Sequence, residues 1–298
     1  MSETFLSFSC LHYQETPPIN RKDNYGELIL GKLNWILETA RRMNAIPLCL
    51  GDWTEKKTGI TEREKILLMR VLLNHIDEGG HRVRTILGNH DIQAYHPDVT
   101  TQAIGVLEIG GAIEIVQQEE FDTVVLTGEN YHADYEQPET YNRQVDSEKF
   151  HIHMTHGMLT DKRLPWEAID KNAIESHADI LINGHNHGYW EDEEKGIYNV
   201  GAVARIAKTD NNMTKQPMVL VIQASKFEPK IWKLEIPIEQ DVWIHRLTRE
   251  TMSSEEVEEF VAGIKEAGEL KDDSTILKTL LKEKSERAKE LVYESIGE

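Results

Sequence analysis

Basic residues and cysteines are both scarce in this sequence. Lysine and arginine number 33 against 52 aspartates and glutamates, a formal net charge of −19. That balance argues against a broad basic surface that grips nucleic acid by counterion release. It does not exclude a phosphate-bearing substrate, because bound divalent ions reverse the local field. The cysteines are two, Cys10 and Cys49, which excludes a disulfide scaffold and predicts two reduced thiols. No run approaches the roughly 20 apolar residues that span a bilayer, so no membrane association is expected. Residues 1–10 lack the basic start and small-residue cleavage site of a signal peptide, and a cytoplasmic location is the expectation. The remainder is ordinary: 298 residues, 39% hydrophobic, support one large domain or one domain with an appendage.

Strand and helix signals alternate. Residues 4–9 read as a short strand and 23–44 as a helix with Leu30, Leu33, Leu37 and Ala40 along its apolar face. A strand over 45–50 stops at Gly51-Asp52, and Thr61-Glu62-Arg63-Glu64 is a capping box opening a helix over 62–78. A third strand, 83–87, ends at Gly88-Asn89. Thr100 or Thr101 is placed to cap a short helix carrying Ala103, Val106 and Leu107. Strands follow over 112–116 and 123–126, then an exposed polar loop over 131–149. A strand over 151–155, a helix over 166–177 and a strand over 179–183 come next. The runs 218–223 and 230–236 read as antiparallel strands. Beyond about Gln240 two helices are expected, 254–267 and 274–296, the second amphipathic and suited to core packing or to a partner.

Five blocks of potential ligands sit just past predicted strands. They are Cys10-Leu11-His12, Gly51-Asp52, Gly88-Asn89-His90-Asp91, His156-Gly157 and Gly184-His185-Asn186-His187. Loops after parallel strands converge at one edge of an α/β sheet. Neutral imidazole suits zinc, iron and manganese-like ions, a carboxylate can bridge two of them, and an amide oxygen completes a harder site. Any one of the 13 histidines taken alone reads as an ordinary loop residue. The ordered set reads as a site for two divalent metal ions.

These blocks, in this order, resemble those of the calcineurin-like metallophosphoesterase superfamily. More narrowly the chain resembles phage-type SbcD-like DNA repair nucleases, over about residues 5–239. The loop Pro17-Pro18-Ile19-Asn20-Arg21, the turn over 107–112, His156-Gly157-Met158-Leu159 and Asn199-Val200-Gly201-Ala202 carry that narrower likeness. The resemblance implies a four-layer α/β/β/α sandwich over 1–239 and a helical C-terminal extension over 240–298. It implies that Cys10, His12, Asp52 and His187 hold one metal and that Asp52, Asn89, His156 and His185 hold the other, with Asp52 as the bridge. Two ions about 3.5 to 4 Å apart activate a water for in-line attack on phosphorus. His90 is then left to donate a proton to the leaving oxygen or to stabilise the transition state, with Asp91 holding its ring or serving as a turn cap. His96 and Arg205 are candidate substrate contacts. DNA, an SbcC-like ATPase and a second copy of the chain are the implied partners.

Cys10 departs from the superfamily, which has Asp there; lariat-debranching members resemble this chain in carrying Cys. A thiolate is softer than a carboxylate, so the expected preference moves from manganese toward zinc or iron. A working thiolate ligand, a one-metal site with a protonated thiol and an inactive site all stay open. So do three functions: a nuclease on DNA, a phosphodiesterase on RNA or small nucleotides, and a non-catalytic scaffold for a repair ATPase.

Overall fold

The computed structural model describes residues 2–56, 60–93, 99–132, 134–135, 137–161, 168–238 and 242–244. The expected helices beyond residue 244 and His96 lie outside the described residues, as does nearly all of the predicted extension. Among the described residues no helix is long and apolar enough to cross a membrane.

The chain opens with β1 (Thr4–Phe8), α1 (Tyr25–Arg42), β2 (Ile46–Cys49), α2 (Glu62–Asp77) and β3 (Val83–Thr85). Then come α3 (Ala103–Ile109), β4 (Ile113–Ile115), β5 (Gln118–Glu120), β6 (Val124–Gly128) and β7 (Phe150–Thr155). Short strands β8 (Leu159–Thr160) and β9 (Ile169–Asp170) precede β10 (Ile180–Asn183), β11 (Trp190–Asp192) and β12 (Ile197–Asn199). α4 (Asp210–Thr214), β13 (Met218–Gln223) and β14 (Lys230–Glu235) complete the described elements.

Two six-stranded sheets result, ordered β14-β13-β1-β2-β3-β4 and β11-β12-β10-β7-β6-β5. β1 to β4 run parallel, while β13 and β14 form an antiparallel hairpin on β1. In the second sheet β12, β10, β7 and β6 are parallel and both edges are antiparallel. Alternation along the strands decides the packing. Phe5, Leu48, Leu220 and Ile222 from the first sheet meet Leu126, Ile152, Met154 and Ile182 from the second in one core. On the other face of the first sheet Leu6, Phe8, Val219 and Val221 pack under α1, α2 and α3 through Ile29, Leu33, Ile36, Leu68, Leu72 and Leu107. The α/β sandwich is therefore as expected.

The outer face of the second sheet differs in detail. Tyr135, Tyr141, Leu159, Ile169, Ile174 and Trp190 cover Leu181 and Ile197 there. Among the described residues this layer is built of 3₁₀ turns, the β8–β9 pair and loops rather than α-helix. Two expectations fail in it. The segment 131–149 is not simply exposed, because Tyr135 and Tyr141 are fully buried. The described part of 166–177 forms β9 and a 3₁₀ turn, Lys171–Ala173, started by Asp170 accepting the Asn172 N–H. Nor does a threonine cap α3: Val99–Thr101 is spent in its own 3₁₀ turn, and Gln102 is the N-cap without a side-chain bond. The capping box at Thr61 forms as read.

Candidate metal centre

All five ligand blocks leave the carboxyl ends of parallel strands, β1, β2, β3, β7 and β10. The backbone is bent sharply to aim them. Cys10, His12, Asp52 and His185 have φ of 52°, 47°, 56° and 70°, the left-handed region, which costs non-glycine residues of order 1–3 kcal/mol each and concentrates at functional sites. The surrounding loops hold that geometry. Cys10 N–H donates to Gly51 O at 3.1 Å, His12 N–H to Asp52 O at 3.0 Å and Ala202 N–H to His187 O at 3.1 Å. A side chain on Gly88 would collide with Asp52 Oδ1, so the second and third blocks approach only through a glycine.

The donor atoms converge. Those of Cys10, His12 and His187 all lie within 4.8 Å of one another, as do those of Cys10, Asp52 and His156 and those of His12, Asp52 and His90. Asp52 Oδ2 stands between the sets, 3.4 Å from His12 Nε2 and 3.2 Å from His156 Nε2. Asn89 Oδ1 is 3.2 Å from His156 Nε2, and the His185 ring is 5.1 Å from the His156 ring. The structure thus brings together all seven residues proposed as ligands. It adds His90 to their edge and gives Cys10 neighbours in both sets.

Electrostatics fit a cation. Burial opposes charge on Asp52, yet His156 and His12 hold its carboxyl well below the usual carboxylate range. Burial likewise pushes the Cys10 thiol up, but hydrogen bonds from His12 and His187 bring it well below its ordinary value. Against burial, Cys10, Glu55 and Asp52 raise His12 to about 10, and Asp52 raises His156 to about 9. Burial and the nearby His156 push His185 down to about 3. Imidazoles, a carboxylate and a thiol buried against one another supply the donors that divalent ions would take in place of protons. His12 Nε2 and His187 Nε2 face each other at 3.0 Å, and both would be available to hold an ion. The residues present fit a dinuclear site.

Supporting contacts fix the ring orientations. His156 Nδ1 donates to Leu50 O at 2.5 Å, leaving Nε2 for the centre. The Tyr135 hydroxyl accepts the His156 N–H at 2.9 Å and donates to Glu129 O at 2.6 Å. Glu55 lies 2.7 Å from His12 Nδ1. Asn183 Nδ2 reaches Gly157 O, Gly184 O and Asn199 Oδ1, while Asn199 donates to Asn186 O and Gly188 O. These amides tie the fourth and fifth blocks together. Glu55 and Tyr135 carry no sequence signal, whereas Asn183 adjoins the last block and Asn199 heads the turn singled out after it.

One expected role is corrected. Asp91 does not orient His90, since its carboxylate accepts the N–H groups of Asp52, Trp53 and Gly88 at 2.7–2.9 Å and so holds the Asp52 loop. Burial and the charge of Asp52 push Asp91 up to about 7. His90 Nδ1 donates instead to Glu55 O at 2.6 Å. Arg205 is buried and donates to Met213 O at 3.3 Å, and it is not in the lining of the cleft over the site. That cleft, about 640 Å³, is lined by His12, Asp52, His90, His185 and His187 together with Met158, Asp161, Tyr189, Asn212 and Lys215.

No family model matches the chain, and no curated protein matches it. Among solved structures it is similar to TT1561 of Thermus thermophilus, at 12% identity over 80% of this chain and 100% of that one, TM-score 0.46. A dimetal phosphatase from Danio rerio aligns at 11% identity over 78% and 98%, TM-score 0.48. A hypothetical protein, also from Thermus thermophilus, aligns at 13% identity over 78% and 100%, TM-score 0.43. The reading of the site rests on its own geometry.

Proposed function

We propose that this protein is a dinuclear metal-dependent phosphodiesterase. Within that class we propose an SbcD-like nuclease that acts on DNA in repair or recombination, working with an SbcC-like ATPase and as a homodimer. One observation carries the class: the buried Asp52 carboxylate lies between histidines of two ligand sets, with His90 lining the same cleft. The narrower reading rests on the motif resemblance.

Cys10, His12, Asp52 and His187 would hold one ion and Asp52, Asn89, His156 and His185 the other. Bound there, two divalent ions would supply Lewis-acid charge that lowers the pKa of water and offsets charge on the phosphoryl oxygens. The chain's own groups do the rest. Cys10 moves the site's preference toward zinc or iron. His90, oriented by its Nδ1 bond to the Glu55 carbonyl and lining the cleft, is the residue we assign to proton transfer to the leaving oxygen.

A second reading, a phosphodiesterase on RNA or small nucleotides, is favoured by the cleft's charge. Among its described lining residues Lys215 is the one lysine and there is no arginine. A substrate panel decides. Protein loaded with manganese, zinc or iron is offered single- and double-stranded DNA, RNA, cyclic dinucleotides and bis-p-nitrophenyl phosphate. DNA cleavage that falls about 10²–10⁴-fold in His90→Ala, with metal content retained, is expected. Turnover confined to small diesters or RNA selects the second reading. No turnover on any of them leaves the scaffold.

A further inference from the structure

Glu55 touches two histidines of the centre by two different groups. Its carboxylate lies 2.7 Å from His12 Nδ1, and its backbone carbonyl accepts from His90 Nδ1 at 2.6 Å. The two rings stand edge to face, their centroids 4.7 Å apart. His12 points its other nitrogen, Nε2, at His187 Nε2 and Asp52 Oδ2, 3.0 and 3.4 Å away. A carboxylate behind a ligating imidazole fixes its tautomer and ring plane and strengthens the far nitrogen as a donor.

We infer that Glu55 is a positioning residue for the centre, its side chain tuning His12 as a metal ligand while its main chain sets the direction of His90. The inference rests on the metal-dependent reading above. It assigns the two functions of Glu55 to separable atoms, which makes the role testable. Removing the carboxylate disturbs His12 and leaves the carbonyl under His90 in place. Because the Glu55 side chain is a third exposed, truncating it opens no cavity in the core.

The test titrates cobalt(II) into the metal-free, full-length chain, following total uptake by calorimetry and the thiolate-to-cobalt charge-transfer band of Cys10 by absorption. Glu55→Ala should weaken the equivalent reported by the sulfur band about 10–100-fold, the usual effect of losing such a partner. The other equivalent and the melting temperature should stay unchanged, and Glu55→Gln, which keeps the shape without the charge, should fall between. Glu55→Ala titrating like the parent chain would overturn the inference while two-equivalent uptake by the parent leaves the metal centre standing. Equal weakening of both equivalents with a lower melting temperature would also overturn it, by making Glu55 a structural residue. A parent chain that takes up no cobalt would sink the metal-centre reading and this role with it.

Discussion

The strand β7 carries two histidines within it and delivers a third to the loop beyond, and the chain treats them in opposite ways. His151 and His153 are buried in the strand, both 2.8 Å from the Thr127 hydroxyl on β6. Burial pushes them down to about 4 and about 3. His156, one residue past the strand end, is equally buried yet raised to about 9, because Asp52 stands 3.2 Å away. Desolvation acts on all three, and the partner decides the outcome. A shared hydroxyl pairs one nitrogen of each ring and leaves the rings neutral; a carboxylate favours a charged ring, or a site for a cation.

The largest test removes that difference. In Asp52→Asn the charge shared by His12 and His156 is gone, so metal content should fall from two equivalents to less than one. Phosphodiester turnover should drop on the order of 10³-fold, the several kcal/mol such ions supply. Asp52→Asn protein that kept two metals by elemental analysis would refute the bridging role. Cys10→Asp should change metal choice rather than abolish it. Manganese would then support the activity that zinc or iron supports in the parent, and unchanged metal dependence would argue that the sulfur is not a ligand. Tyr135→Phe loosens the His156 loop and its tie to the 129–135 segment, since the hydroxyl both accepts the His156 N–H and donates to Glu129 O. A loss of about 1–3 kcal/mol in denaturant unfolding is expected for a buried amide left without its partner.

The last test is silent at pH 7 and addresses the other histidines. Their folded-state values lie below the unfolded value of about 6.5, so below that pH the unfolded chain binds protons that the folded chain refuses. Stability should therefore fall as pH drops from about 6.5 and stop falling on their account below about 3. Melting curves of the parent and of His151→Gln with His153→Gln should show a shallower decline in the double variant. Equal slopes would mean that these two rings do not titrate on unfolding.

Much of the fold was legible because periodicity and caps are local. The helix over 62–78 and the strands flanking the first three blocks follow from spacing and from Thr61 and Glu64. Where the chain is covered by distant residues the signal failed. Tyr135 and Tyr141 lie in an acidic, aperiodic segment that reads as surface, and only the second sheet above them makes them core. The helical reading of 166–177 failed similarly, since a short apolar pattern does not choose between a turn and a helix until it has something to pack on.

The sequence by itself marked the residues that the structure brings together, because the blocks holding Cys10, His12, Asp52, Asn89, His156, His185 and His187 lie in order past strand ends and resemble a known motif set. It also marked Cys10 as the unusual member. Only the tertiary structure decided the supporting roles: Asp91 serving the backbone of the Asp52 loop, Glu55 standing behind His12, Arg205 buried against the Met213 carbonyl. Those around the centre depend on approaches between segments 35 to 106 residues apart, or on which side of a turn a carboxylate faces. Local pattern does not encode such distances; they are set when two sheets pack and bring their strand ends to one edge.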